Sequence, residues 1–146
     1  MAYWRLFYHL VWTTKYREPV LTPDLDFRVH QFMVNDAEKK LYAPLCFVNR
    51  TADHIHALVS VRPAVSPADV AKQLKGASSR WFSLEFKRAF EWQEGYGVLS
   101  VSEENVQRVI NYIKNQKKHH AEKTRVTELE VTQDWDGAKW IDSEIF

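Results

Sequence analysis

The chain has 146 residues, a single cysteine and a formal net charge of +1, which sets it at one ordinary domain with its own core and excludes an internal disulfide framework or a cysteine-based zinc site. The charge is uneven: residues 1–120 carry 17 Lys/Arg against 12 Asp/Glu, and residues 121–146 carry 3 against 7, a basic body that suits a nucleic-acid surface of limited size and equally a solvated basic face. No signal-peptide apolar run opens the chain and no stretch approaches the roughly 20 apolar residues of a membrane span, so a soluble cytoplasmic protein with Cys46 as a buried strand thiol is expected.

Residues 3–13 are dense in aromatic and branched side chains on both parities, as in a central strand covered on both faces. The strand runs into Lys15-Tyr16-Arg17. That cluster fits a grip on a phosphate backbone with a base stacked on the tyrosine, or a strand end snorkelling two cations. Thr22-Pro23 supplies an N-cap and a first-turn proline for a helix to about Leu41, and Tyr42-Ala43-Pro44 ends it. Leu45 to Arg50 reads as a second strand, turning through Ala52-Asp53 into a hairpin partner, Asp53 to Val61.

In that partner strand residues i and i+2 share a face, so His54 and His56 project together and Ile55, Ala57, Val59 and Val61 project oppositely. Two imidazoles side by side can give a divalent metal two ligands and leave positions open for a third group and for substrate. The plainer account is one satisfied polar histidine and one exposed strand histidine. Pro63 closes the strand, and Ser66-Pro67-Ala68-Asp69 opens a helix to about Phe86. On it Lys72, Lys75 and Ser79 share a face with Arg80 beside them. Gly76 sits mid-helix at a cost of about 1 kcal/mol against alanine, which predicts that another backbone, of protein or nucleic acid, comes close. Trp92 to Gly97 leads into a fourth strand, Val98 to Val101, and Ser102 caps a third helix from Glu103 to about His120. In the mixed tail Trp135 and Trp140 are the candidates for docking it to the body.

The order βαββαβ plus a helix is that of an α+β, ferredoxin-like split-βαβ sandwich, with two helices on one face of a four-stranded antiparallel sheet. The third helix is then the cover for the other face, over the histidines. It carries an apolar stripe at Val106, Val109, Ile110 and Ile113, with Tyr112 and Gln116 at its border. These two are i and i+4, about 40° apart around the helix, so a phenol and a carboxamide face one spot. If that spot is the histidine pair, Gln116 is a third ligand and Tyr112 stands near the metal. Otherwise both are ordinary residues at the edge of an amphipathic helix.

Together, His54-Ile55-His56 and a Tyr-x-x-x-Gln helix resemble the HUH endonuclease superfamily. The pattern is closest to the single-tyrosine, TnpA-like transposases of insertion sequences and their REP-associated relatives. The resemblance covers most of residues 4–120, through His9-Leu10-Val11-Trp12, Lys15-Tyr16-Arg17, Leu74 to Arg80, Trp92 to Gly97 and Tyr112 to Gln116 with His119-His120. It implies a transposase domain over 1–120, with 121–146 a tail of open role within the same single domain. By the same resemblance Tyr112 is the nucleophile and His54, His56 and Gln116 hold Mg²⁺ or Mn²⁺, whereas ligand softness alone points to Zn²⁺ or Mn²⁺. The substrate implied is single-stranded DNA with a hairpin near the cut, joined to Tyr112 as a 5′-phosphotyrosine. Lys15, Arg17, Lys72, Lys75 and Arg80 are the candidate backbone contacts, and Tyr16 and Tyr96 the candidate stacking residues. A homodimer with composite sites is expected, with no small-molecule cofactor and no membrane. The competing readings are a REP-associated enzyme, a hairpin-binding descendant without activity, and a hydrolase that uses water and does not need Tyr112.

Overall fold

The computed structural model describes residues 3–41 and 45–115; the expectations placed on Gln116, His119-His120, Trp135, Trp140 and the thiol of Cys46 lie outside what it describes. Four antiparallel strands, β1 (Phe7–Thr13), β2 (Leu45–Arg50), β3 (His54–Ser60) and β4 (Gly97–Val101), form one sheet in the order β2-β3-β1-β4. With α1 (Asp26–Leu41) and α2 (Pro67–Phe86) as crossovers, this is the ferredoxin-like α+β sandwich expected, followed by α3 (Val106–Lys114). β1 starts four residues later than its composition suggests. At Phe7 it meets Ser60 of β3 and Val101 of β4, the last residues of both neighbours, and before it only the Leu6 carbonyl continues the pairing, accepting from Val61 N at 3.0 Å among the described residues.

Capping chemistry fixes the helices. Asp69 N donates to Ser66 Oγ at 3.0 Å and Ser66 N donates to the Asp69 carboxylate at 3.2 Å, a reciprocal box that sets the start of α2. α2 ends at Lys87, which turns left-handed at φ 53°. α1 is entered through a 3₁₀ turn, Pro23–Leu25, where Thr22 hydrogen-bonds the Asp24 carboxylate. The lead-in to α3 differs from expectation. Glu103–Asn105 form a 3₁₀ turn, and the Ser102 hydroxyl accepts from the Asn105 side chain at 2.8 Å instead of capping the helix backbone.

The two faces of the sheet are covered differently. Leu10, Trp12, Ile55, Ala57 and Val59 pack with Val29, Met33 and Ala37 of α1 and Val70, Ala71, Leu74 and Phe82 of α2 in the main core. Trp92 closes its edge, its indole N–H donating to Ser78 Oγ at 2.9 Å and its ring meeting Trp12 edge-on. The opposite face has a small separate core, Phe7, Leu58 and Val101 against Val109 and Ile113 of α3, with Val106 and Ile110 at its border. α3 thus lies over the histidine side, as the stripe requires. Gly76 is the exception to expectation: a Cβ built there would meet nothing within 4 Å. No protein backbone among the described residues explains the glycine. Among the described residues no helix is long and apolar enough to cross a membrane.

Candidate active site

Register puts a buried polar patch on the α3 side of the sheet. Thr13 stands opposite His54, while Val11 and Asn49 flank His56 from either side, and directly opposed residues share a face. Both histidines are buried, His54 2 % and His56 0 % exposed, so the reading in which one of them is an exposed strand residue is set aside. His54 Nδ1 lies 2.7 Å from Asp53 Oδ1 and 2.7 Å from Thr51 Oγ1. The Asp53 carboxyl is held below the usual carboxylate range, first by its hydrogen bond with His54, then by the charges of His54 and Arg17, against the opposing effect of burial. His56 Nδ1 lies 2.8 Å from Nε2 of His9, a residue of β1 that is itself buried.

α3 brings Tyr112 to this patch. Its side chain is buried, and the phenol ring meets the His56 ring edge-on with centroids 6.1 Å apart. Asn49, which flanks His56 on β2, donates from Nδ2 to the Ile113 carbonyl at 3.0 Å and ties the helix to the sheet beside the histidine. Each imidazole has a protein partner at Nδ1, and a metal-binding histidine commonly engages one ring nitrogen with the protein and coordinates through the other; Thr51 Oγ1 also lies 3.4 Å from His54 Nε2. Two imidazoles on one face of a strand are two of the donors that a divalent ion takes. Among the described residues no group of three or more His, Cys, Asp and Glu is placed to hold a metal ion; Gln116, the third ligand expected, lies beyond them.

The candidate DNA contacts fall into three groups. Lys15-Tyr16-Arg17 forms a 3₁₀ turn in which Tyr16 and Arg17 take positive φ, 59° and 53°, a conformation that costs a non-glycine residue about 1–2 kcal/mol. It is held by Thr14 Oγ1 on the Glu18 carbonyl, Lys15 on Glu91 at 2.6 Å and Arg17 on Asp53 at 3.6 Å. Tyr16 is thereby left 79 % exposed at the rim of a cleft of about 190 Å³. Lys72 and Arg80 are exposed on α2, across the sheet from the histidines. Lys75 has a different partner set, since its ammonium donates to the carbonyls of Gln93 and Gly95 at 2.9 and 2.8 Å. Burial pushes its pKa down. It clasps the loop before β4, where Gly95 takes φ 91° and Tyr96 packs against the main core. Sequence reading missed His9, Thr51 and Asp53 as members of the site. Asp53 is adjacent to His54 and was open to suspicion, whereas His9 is joined to His56 only by the β1–β3 register.

Comparison with known proteins gives the family of the chain and neighbours of its fold. The family model described as "Transposase IS200 like" matches residues 2–116, a span that takes in the histidines, Tyr112 and Gln116. The ISDra2 transposase TnpA of Deinococcus radiodurans is 29% identical over 120 residues, 77% of this chain and 85% of that protein. The transposase for insertion sequence element IS200 of Salmonella typhimurium is 33% identical over 125 residues, 77% of this chain and 78% of its own. Among solved structures, a transposase candidate from Deinococcus radiodurans superposes with a TM-score of 0.61 at 30% identity, covering 79% of this chain and 93% of its own. The REP-associated tyrosine transposase bound to a REP hairpin shares the fold at a TM-score of 0.57 and 11% identity, covering 82% and 74%. A sandwich with paired histidines under a tyrosine helix, matched along nearly its whole described length, belongs to the IS200-like transposase family, and the chain is a DNA transposase.

Proposed function

We propose that this transposase cuts and rejoins single-stranded DNA beside a hairpin, with Tyr112 as the attacking group and Mg²⁺ or Mn²⁺ held by His54, His56 and Gln116. The observation that carries the proposal is the convergence on His56: its Nδ1 lies 2.8 Å from Nε2 of His9, and its ring lies against the phenol of Tyr112 on α3. A divalent ion, when bound, offsets the negative charge of the scissile phosphate and eases departure of the alkoxide. The tyrosine does the bond-making. Its hydroxyl, of ordinary pKa about 10, loses its proton as the oxygen attacks phosphorus; a tyrosine–phosphate ester forms, and the bond to the 3′ oxygen breaks to leave a free 3′-hydroxyl. The ester keeps the energy of the broken bond, so a second 3′-hydroxyl can reverse the step on another strand without ATP.

DNA is held away from the chemistry as well as near it. Lys15, Tyr16 and Arg17 are the contacts next to the histidines, because Arg17 pairs with Asp53, which holds His54. Lys72 and Arg80 are the distal phosphate contacts on α2, and Tyr96 is a further stacking residue. Lys75 reaches DNA only with the ammonium capacity left after two carbonyls. The catalytic unit is residues 1–120, supported by the family match over 2–116, with 121–146 as its tail, working in the cytoplasm. A homodimer is part of the proposal: β4 is an edge strand on which Val98 and Leu99 are 37 % and 36 % exposed, an apolar edge suited to pairing with a second copy. Composite sites require α3 to leave the face it covers in its own chain and serve its partner's histidines. Mixing Tyr112→Phe with His56→Ala protein tests this, because a DNA adduct arises from the mixture only when sites are shared.

The decisive assay incubates the protein with Mn²⁺ and an end-labelled, hairpin-bearing single strand. A protein–DNA adduct that survives denaturation supports the reading. Cleavage without adduct points to water as the attacking group, and binding without cleavage points to a hairpin-binding protein.

A further inference from the structure

We infer that His9 is a positioning residue that fixes which ring nitrogen of His56 is available to a metal ion. The inference rests on the reading of His54 and His56 as ligands. A neutral imidazole carries one proton, and a nitrogen that binds a metal must be the one without it. At His54 the Asp53 carboxylate lies 2.7 Å from Nδ1, a partner that favours the neutral tautomer with its proton on Nδ1 and Nε2 bare. At His56 the described partner of Nδ1 is a second imidazole. The atom 2.8 Å away is Nε2 of His9, and for His56 to present a bare Nε2 its Nδ1–H must donate to that nitrogen. His9 then accepts at Nε2 and carries its own proton on Nδ1.

The surroundings make this contact durable. His9 is 1 % and His56 0 % exposed, so water does not replace the bond. The two rings lie nearly parallel, 8° apart with centroids 5.0 Å apart, and β1 and β3 fix their separation through the pairs His9–Leu58 and Val11–His56. Tyr112 meets the His56 ring edge-on, so rotation of the ring also disturbs the nucleophile. His9 thus serves the site through His56, without touching substrate.

The test compares His9→Leu, which removes the acceptor, with His9→Gln, whose side-chain oxygen can accept at about the position of the imidazole Nε2. Two quantities are read on the full chain: Mn²⁺ affinity by titration calorimetry, and the His56 tautomer by ¹⁵N NMR of the metal-free protein. The expected results are an Nδ1–H tautomer for His56 in the parent chain, a 10- to 100-fold weaker Mn²⁺ affinity in His9→Leu, and recovery of most of that loss in His9→Gln. An Nε2–H tautomer in the parent chain overturns the inference, as does an unchanged affinity in His9→Leu. If the parent chain binds no Mn²⁺, the metal reading itself fails, and the tautomer measurement still decides what His9 does. If His9→Leu does not fold, His9→Gln and the parent spectrum decide.

Discussion

Replacing Gly76 by alanine separates two explanations of a glycine in the middle of a long helix. Gly76 lies ten residues into α2, is exposed, and does not adopt positive φ. An added Cβ meets nothing within 4 Å, so no steric cost offsets the gain in helix propensity, about 1 kcal/mol. For a chain of this size that is a rise in Tm of about 3–5 °C, read by circular dichroism, with a matching increase in the urea midpoint. Lys72 and Arg80 stand four residues before and after Gly76, and both are exposed. The new methyl sits between two proposed phosphate contacts, so affinity for a hairpin-bearing strand should fall as stability rises. An unchanged or lower Tm refutes the helix arithmetic. A higher Tm with unaltered affinity refutes the approach of a nucleic-acid backbone at this notch.

Tyr112→Phe removes one hydroxyl and little packing, so adduct formation should vanish while hairpin binding and Tm stay near the parent values; cleavage at the parent rate excludes Tyr112 as the nucleophile. Lys72→Glu should leave stability within about 0.5 kcal/mol and lower the slope of log affinity against log salt by about 1. Lys75→Met should act the other way, costing about 1–3 kcal/mol in urea unfolding through two lost ammonium hydrogen bonds; equal stability with a weakened DNA complex would contradict the clasp. Asp53 has a depressed folded pKa, so its stabilisation is complete above the unfolded value of about 3.9 and is lost as pH falls through the lower folded value. The stability gap between the parent chain and Asp53→Asn should therefore shrink as pH falls below about 4, and a gap that widens in acid reverses the sign of the argument.

Most of the architecture was legible because it is written in local chemistry. Ser66 and Asp69 announce α2, period-two alternation sorts β3 into a histidine face and an apolar face, and the stripe of Val106, Val109 and Ile113 requires a partner that only the uncovered sheet face supplies. Illegible features are those set by register and by tertiary partners. His9 meets His56 because β1 pairs β3 with Val11 opposite His56, and no spacing in the chain states that pairing. Lys75 looks like a free cation on a basic face until Gln93 and Gly95 bring it their carbonyls. Tyr16 and Arg17 carry no glycine to signal positive φ; the turn is imposed by Thr14, Glu91 and Asp53 around them. The Gly76 expectation failed on its protein half because an exposed helix face resembles a buried crossing when only propensity is read.

The burial of β3 on both faces has a consequence for how this chain can change length. From His54 to Ser60 every residue is buried, and the alternation assigns Ile55, Ala57 and Val59 to hydrocarbon packing under α1 and α2 while His54, His56 and Leu58 look toward α3. Inserting or deleting one residue after Asp53 would turn every downstream side chain to the opposite side: His56 would enter the main core, an aliphatic neighbour would take its place beside Tyr112, and folding and chemistry would fail together. Insertions between Arg62 and Val65, exposed or half-exposed and outside the sheet, carry no such penalty. Surviving length variants of this enzyme should therefore cluster on either side of β3 and be missing within it.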